Sequence, residues 1–144
     1  RDLHSFPTRR SSDLKAADAR LVAQLFGSAG SVLALPERHF DAVTALSGSG
    51  PAFYAFVMQA MVEAAVALKL PKDAARLLAE QTMIGTGIYL QNTGRDTAAF
   101  IQAVASPKGT TAAGLAVLEK SAVKEALAKA LAAAAARSAE LSKA

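Results

Sequence analysis

Apolar residues recur every three to four positions along most of this 144-residue chain, the spacing that lines one face of an α-helix. In residues 18–26, for example, the apolar positions that share one side are Leu21, Val22, Leu25 and Phe26. Proline, glycine and capping residues separate such segments, and strands do not alternate convincingly with helices. The pattern predicts an all-α helical bundle of about seven helices joined by short turns. These cover residues 18–26, 36–47, 51–69, 72–91, 96–105, 107–118 and 121 to near the C-terminus.

The helix predicted for residues 51–69 is apolar almost all round and is clearly interrupted only by Gln59, Glu63 and Lys69. A helix without a polar face is normally buried, so we expect it at the centre of the domain or of a dimer. The apolar fraction of the chain is 52%, but much of it is alanine, which buries little area per residue. We therefore expect a second copy of the chain to cover part of the apolar surface, giving a homodimer or a larger oligomer.

Residues 1–15, RDLHSFPTRRSSDLK, differ from the rest because they are polar, rich in serine and arginine, and without a helical period. They lack the apolar central region of a secretory signal. They resemble the translated remnant of a sequencing adapter, in which case an upstream part of the protein is missing; a genuine disordered arm is the alternative. We treat them as a non-native or disordered leader and residues 16–144 as one helical domain.

Charge and composition exclude several classes of protein. The net charge is +4, and half of it lies within residues 1–15, so the domain itself is only weakly basic. No basic stripe with interleaved aromatic residues indicates nucleic-acid binding, and no apolar run is long and unbroken enough to predict a membrane span. The chain has no cysteine, which fits a reducing, cytoplasmic setting. Its two histidines lack partners at metal-binding spacing, so we predict no metal site.

The motif SPKGTT, residues 106–111, has the chemistry of a helix start. Pro107 suits the first helical turn, and the hydroxyl of Ser106 can cap the helix. Gly109 permits close approach of a ligand to the backbone. A small carboxylate with a polar neighbour would suit such a site, since helix N-termini bind anions; an ordinary capped helix is the commoner alternative. The amides that would face the anion are those of Gly109, Thr110 and Thr111.

A second motif, SGSGP, separates two predicted helices and consists of Ser47, Gly48, Ser49, Gly50 and Pro51. Pro51 would be the first helical residue, with Ser49 or Gly50 at the cap. The glycines do not indicate a dinucleotide-binding loop, because no strand precedes them and the third glycine is absent. The functional interpretation is a close approach of ligand or partner to the backbone, and the alternative is a tight connection between helices.

Two runs, DAVTALSGSGPAF at residues 41–53 and SPKGTTAAGL at residues 106–115, closely resemble pyrroline-5-carboxylate reductase in their order and spacing. The similarity extends over residues 16–144. It implies the C-terminal substrate-binding and dimerisation domain, with a fold like the C-terminal domain of 6-phosphogluconate dehydrogenase. It also implies a separate N-terminal Rossmann domain that binds NADP or NAD, and reduction of 1-pyrroline-5-carboxylate to L-proline in proline biosynthesis.

The same resemblance assigns roles to residues of both motifs. It implies that Ser106, Gly109, Thr110 and Thr111 bind substrate, the backbone amides of the last three holding its carboxylate. Thr111 is the implied catalytic residue, whose hydroxyl would hydrogen-bond the ring nitrogen. A free alcohol is too weak an acid to protonate that nitrogen alone, so orientation or proton relay from water is expected. The residues implied to line the pocket beside the nicotinamide are Ser47, Gly48, Ser49, Gly50 and Pro51.

This sequence departs from the family's pattern at three places. Lys108 stands where many members have glycine and adds a positive charge beside the expected carboxylate. Residues 97–100 and 121–122 also differ, in ways that affect packing more than chemistry. The residues that distinguish NADH from NADPH are not in this chain, and the chain alone should be inactive. The rival interpretation, from another class, is a non-catalytic helical dimerisation module.

Overall fold

Helices make up all the regular structure in the part of the chain that the structure describes. The computed structural model describes residues 16–143, so the predicted leader lies outside the described residues. The chain divides into two compact units, one ending at Phe40 and the other beginning at Asp41. Residues 16–143 contain no strand, which confirms the all-α prediction. The division into a leader and a domain stays a prediction.

The first unit contains one helix and the residues that lead into a second helix. Helix α1 spans Ala16–Gly27, as its apolar spacing predicts. Irregular residues 31–36 lead into a 3₁₀ turn over Glu37–His39, which begins directly after Pro36. Proline suits this position because its fixed φ does not disturb the start of a helix. The apolar face of α1 is exposed at Leu21, Val22, Leu25 and Phe26.

The second unit contains the remaining predicted helices. A short helix α2 (Phe40–Val43) passes into a π-helical turn (Thr44–Gly48, here the π-turn) and then into α3 (Gly50–Ala67). Four further helices follow in chain order: α4 (Lys72–Thr93), α5 (Thr97–Val104), α6 (Thr110–Lys120) and α7 (Val123–Leu141). The largest differences from the prediction lie at residues 44–50, where helical structure nearly continues, and at the start of α6.

Local sequence explains where several helices begin and end. Oδ1 of Asp96 accepts hydrogen bonds from the N–H groups of Ala98 and Ala99, at 2.9 and 3.1 Å, and so caps α5. Gly94 ends α4 with φ 59°, a left-handed conformation that glycine adopts without steric cost. Oγ of Ser121 accepts a 3.3 Å hydrogen bond from the first amide of α7. Gly94 and Asp96 confirm the predicted stop and cap. The N-cap of α7 is Ala122, so the prediction that Ser121 caps this helix is wrong by one residue.

Packing within the second unit leaves most large apolar side chains exposed. Helices α3 and α4 pack against each other, and α7 packs against the π-turn. The buried hydrophobic residues are small: Ala45 and Ala75 are 1% and 2% exposed. Phe56 and Tyr54 of α3 are 73% and 62% exposed, so the burial expected for this helix is not reached within one chain.

Gly85 and Gly87 inside α4 do not mark a close helix contact within the described chain. A Cβ built on either glycine would meet no atom within 4 Å. Glycine inside a helix costs about 1 kcal/mol relative to alanine. The described chain therefore contains no close approach that compensates for these two glycines.

The stretch Glu37–Ala67 reaches the length and composition of a membrane-spanning helix. Its mean hydropathy is 1.2 over an 18-residue window, of which 6% is buried. The expectation that no apolar run is long enough is wrong for this stretch, because the π-turn continues the helix where the sequence indicated a break. Core helices of soluble proteins share this length and composition.

Candidate functional site

The SPKGTT motif forms a turn followed by a helix. The N–H of Gly109 donates to the carbonyl oxygen of Ser106 at 3.0 Å and closes a four-residue turn. Helix α6 begins at Thr110, with Gly109 as its N-cap and no capping hydrogen bond from a side chain. The predictions that Pro107 lies in the first helical turn and that the Ser106 hydroxyl caps the helix are wrong. Proline's fixed φ suits the second position of a turn as well as the start of a helix.

Lys108 occupies the third position of this turn with φ 61°. A positive φ at the third position is the mark of a type II turn, where glycine is favoured. For a residue with a Cβ, the left-handed conformation costs about 1–2 kcal/mol. The side chain of Lys108 is exposed. The turn therefore places a strained, positively charged residue immediately before the N-cap of α6.

The amides available at the start of α6 differ by one residue from those predicted. The N–H of Gly109 closes the turn, so it is not directed at a ligand. The N–H of Ala113 donates to the carbonyl oxygen of Gly109 at 3.2 Å, the first hydrogen bond of the helix. The amides of Thr110, Thr111 and Ala112 therefore remain outside the helical bonding pattern. The free amide of Ala112 was not predicted from the sequence, because which amides are free depends on which residue begins the helix.

Gly109 lies very close to Ser106 inside the turn. A Cβ at this position would collide with Oγ of Ser106 and would lie 3.1 Å from the Ser106 carbonyl oxygen. The Ser106 hydroxyl therefore lies against the backbone of Gly109, next to the first turn of α6. Glycine is explained here by a contact within the motif, and its role in ligand approach stays a prediction.

Thr110 and Thr111 differ in their surroundings. Thr110 is exposed, whereas Thr111 is partly buried. Successive side chains of an α-helix point about 100° apart, so the two hydroxyls point in different directions. The groups predicted to contact the substrate are the amides of both threonines and the hydroxyl of Thr111, and these roles stay predictions.

The SGSGP motif is part of a nearly continuous helical stretch. The N–H of Ser49 donates to the carbonyl oxygen of Thr44 at 2.9 Å and completes the π-turn. The hydroxyl of Ser47 donates to the carbonyl oxygen of Val43 at 2.9 Å. Ser49 is the N-cap of α3, as predicted, but its side chain makes no capping hydrogen bond. Such π-turns within helices are frequent at functional sites.

The two glycines of this motif are not required by packing within the chain. A Cβ on exposed Gly48 would lie 3.7 Å from Cγ2 of Thr44, and one on buried Gly50 would lie 4.0 Å from the ring of Tyr54. Both are ordinary van der Waals distances. Gly48 thus leaves a surface without a side chain beside the start of α3, which suits the face of a flat ring.

The chain does not join the two motifs by helix packing. The extensive contacts of the second unit are those of α3 with α4, α7 with the π-turn, and α3 with the π-turn. Helix α6 takes part in none of them. Within the described residues the SPKGTT and SGSGP motifs therefore belong to separately packed parts of the unit.

Charged groups elsewhere do not form a second centre in the described residues. Nε of Arg76 lies 2.7 Å from Oε1 of Glu80 on α4, and this hydrogen bond and charge raise the pKa of the Arg76 guanidinium. Three-quarters of the Arg76 side chain is exposed, so the pair contributes little to stability. Residues 16–143 contain no group of three or more histidine, aspartate or glutamate side chains that could hold a metal ion.

Comparison with known proteins gives one family throughout. A family described as pyrroline-5-carboxylate reductase dimerisation matches residues 37–141. The pyrroline-5-carboxylate reductase of Arabidopsis thaliana is 44% identical over 125 residues, which are 87% of this chain and 45% of the Arabidopsis protein. The chain therefore spans about half the length of the curated relatives that it matches.

Solved structures give the same result. The pyrroline-5-carboxylate reductase of Coxiella burnetii matches with a TM-score of 0.85 and 36% identity, over 91% of this chain and 49% of that one. The pyrroline carboxylate reductase of Plasmodium falciparum, solved with NADP bound, matches with a TM-score of 0.79 and 28% identity, over 89% and 49% of the two chains. The resemblance inferred from the two motifs is confirmed.

Proposed function

The chain belongs to the pyrroline-5-carboxylate reductase dimerisation family, and we propose that it supplies the substrate loop and the subunit interface of such an oxidoreductase. The observation that carries the proposal is the family match over residues 37–141, which includes both motifs. The complete enzyme would reduce 1-pyrroline-5-carboxylate to L-proline. The cofactor, NADP or NAD, would bind mainly to the part of the relatives that lies outside the half matched by this chain.

The start of α6 is proposed to bind the substrate's carboxylate. The unpaired amides of Thr110, Thr111 and Ala112 and the positive end of the helix dipole favour an anion there. This revises the predicted set, because the amide of Gly109 closes the preceding turn. Gly109 then acts by shaping the loop, and the Ser106 hydroxyl beside it is available to the bound ring.

Thr111 is proposed as the residue that touches the reacting atoms. A bound cofactor would supply a hydride to the carbon of the ring C=N bond, and the nitrogen would end protonated. The Thr111 hydroxyl would hydrogen-bond that nitrogen, orient the ring and pass on a proton from water, since an alcohol is too weak an acid to act alone. Its partial burial supports a fixed hydroxyl rather than a freely rotating one.

The SGSGP motif is proposed to border the nicotinamide and the substrate. Its residues fit a flat ring, because Gly48 is exposed and adds no side chain to the surface beside Thr44. The hydroxyl of Ser47 bonds to its own helix, so shape rather than hydrogen bonding is the contribution expected of this turn.

A second copy of the chain is proposed to cover α3 and α4. Twenty-six large hydrophobic side chains in the described residues are exposed, far more than a soluble monomer of this size leaves uncovered. Burying one such side chain fully stabilises by roughly 1.5–3 kcal/mol. The family's description as a dimerisation domain supports a partner copy over a lipid bilayer as the cover for Glu37–Ala67. A cytoplasmic location stays a prediction.

Joining this chain to the cofactor-binding half of the Coxiella burnetii relative tests the function. The chimera is expected to reduce 1-pyrroline-5-carboxylate with NADPH or NADH, and Thr111→Ala is expected to lower kcat/KM strongly, with Thr110→Ala as the matched control. A folded, dimeric chimera without activity would overturn the proposal. It would favour the non-catalytic dimerisation module, which dimerises but does not bind proline.

A further inference from the structure

Helices α5 and α6 form an arm that carries the substrate loop away from the rest of the chain. Neither helix packs extensively against another helix of the described chain. The arm continues from α4 through the short connection at residues 94–96. The arm is joined to α4 through residues 94–96 and to α7 through residues 121–122, so the connection at residues 94–96 is one of the two that direct the loop at residues 106–109.

The backbone of the joint is fixed by local hydrogen bonds. Oγ1 of Thr93 donates to the carbonyl oxygen of Tyr89 at 2.8 Å and accepts from the N–H of Arg95 at 3.3 Å. Gly94 reverses the chain with φ 59°, and Asp96 caps α5 immediately afterwards. Two polar side chains and one glycine thus define the bend between α4 and α5.

An aromatic pair spans the bend from helix to helix. The rings of Tyr89 in α4 and Phe100 in α5 lie 5.1 Å apart between centroids and are tilted by 37°. Nη1 of Arg95, in the connection itself, lies 3.4 Å from the phenolic oxygen of Tyr89. Phe100 is partly buried, although α5 has no extensive packing partner. Aromatic pairs in this geometry stabilise a structure beyond the area that they bury.

We propose that Tyr89 and Phe100 are positioning residues for the substrate loop. Their ring contact sets the angle at which the α5–α6 arm leaves α4, and thereby contributes to where Thr111 stands relative to the SGSGP turn and the cofactor. The proposal rests on the proposed function for its consequence in catalysis, but the direction of the arm can be measured without activity. Misplacing a reacting group by about 1 Å can cost on the order of 100-fold in rate.

Distances between two spin labels test the direction of the arm. The chain contains no cysteine, so Lys72→Cys at the start of α4 and Lys120→Cys at the end of α6 give unique labelling sites, and both lysines are exposed. Dimers are diluted with unlabelled chain so that only distances within one chain contribute. The parent is expected to give one narrow distance distribution, and Phe100→Ala and Tyr89→Leu broader ones.

Matched variants separate the ring contact from general effects on the arm. Tyr89→Phe keeps the ring and is expected to keep the narrow distribution. Ile101→Ala truncates a neighbouring apolar side chain of α5 that is 46% exposed, and is also expected to keep it. Phe100→Leu retains apolar volume without the ring and replaces Phe100→Ala if that variant does not fold. A narrow, unshifted distribution in the folded ring-deleted variants would overturn the proposal.

Kinetics of the chimera test whether the direction of the arm affects catalysis. Phe100→Ala is expected to lower kcat/KM for the pyrroline substrate by about 10- to 100-fold while leaving KM for the cofactor unchanged, because only the substrate loop is displaced. Ile101→Ala is expected to match the parent. If the parent chimera is active and Phe100→Ala behaves like Ile101→Ala, the positioning role is wrong and the proposed function stands. If the parent is inactive, the proposed function fails, whatever the label distances show.

Discussion

The hydroxyl of Ser138 donates a 2.8 Å hydrogen bond to Oδ1 of Asp41, 97 residues earlier in the chain. Both residues are partly buried. The bond joins α7 to the turn of helix that precedes the π-turn, and α7 packs against the π-turn as well. The segment leading into the SGSGP motif is therefore held by a helix from the other end of the domain.

Removing this hydrogen bond should destabilise the domain. Ser138→Ala is expected to lower the free energy of unfolding by about 1 kcal/mol, because a partly buried carboxylate loses a donor. Urea unfolding at fixed chain concentration measures it, since the stability of a dimer depends on concentration. Ser28→Ala, which removes only a local bond to the carbonyl oxygen of Leu25, is the control and should cost less. Equal losses in the two variants would show that the link to Asp41 is not stabilising.

Lys108→Gly should stabilise the turn before α6. The change removes the left-handed strain of a residue with a Cβ, worth about 1–2 kcal/mol, and part of this gain is offset by the greater freedom of glycine in the unfolded chain. A net gain of about 0.5–1 kcal/mol in unfolding free energy is expected. The same substitution at Lys129, an exposed helical position of α7, should instead cost about 1 kcal/mol. A destabilising Lys108→Gly would contradict the type II turn.

Gly109→Ala should disturb the substrate loop through Ser106. The new Cβ collides with Oγ of Ser106, so the turn must open or the serine side chain must rotate away. Thermal unfolding should show a loss for Gly109→Ala that is partly recovered in the double variant Ser106→Ala/Gly109→Ala, where the hydroxyl is gone. Recovery should be incomplete, because the Ser106 carbonyl oxygen remains 3.1 Å from the added carbon. Additive losses in the double variant would mean that the two residues do not interact.

Asp96→Ala should weaken the joint at the base of the arm. Loss of a capping carboxylate typically costs about 0.5–2 kcal/mol, and two amides of α5 lose their acceptor here. Asp96→Asn should retain most of the stability, because its side-chain oxygen accepts the same hydrogen bonds. Chemical unfolding compares the three proteins, and equal stability of Asp96→Ala and Asp96→Asn would count against the cap.

The sequence predicted those features that short-range chemistry determines. The stop at Gly94 and the cap at Asp96 follow from the conformations and hydrogen bonds that these residues favour locally, and both are present. The π-turn was not predicted, because a helical turn with one extra residue depends on what packs against it, and α7 lies far along the chain.

The conformation of the substrate loop also could not be predicted from the sequence alone. Proline in SPKGTT is compatible with a turn or with a first helical residue, and only the positive φ of Lys108 decides between them. Placing the helix start at Pro107 rather than Thr110 put Gly109, instead of Ala112, among the free amides. The exposure of α3 also could not be predicted from the sequence. An apolar helix is expected to be buried, but its sequence does not show whether the same chain covers it.

The amides at the start of α6 are proposed to bind the substrate's carboxylate, and their response to a ligand can be measured. Backbone amide chemical shifts of the ¹⁵N-labelled chimera can be followed as L-proline is added in the presence of oxidised cofactor. We expect large, saturable shifts of the amides of Thr110, Thr111 and Ala112. A smaller shift is expected for Gly109, whose N–H is bonded to the carbonyl oxygen of Ser106. Saturable binding that leaves the first three amides unshifted would contradict this proposal.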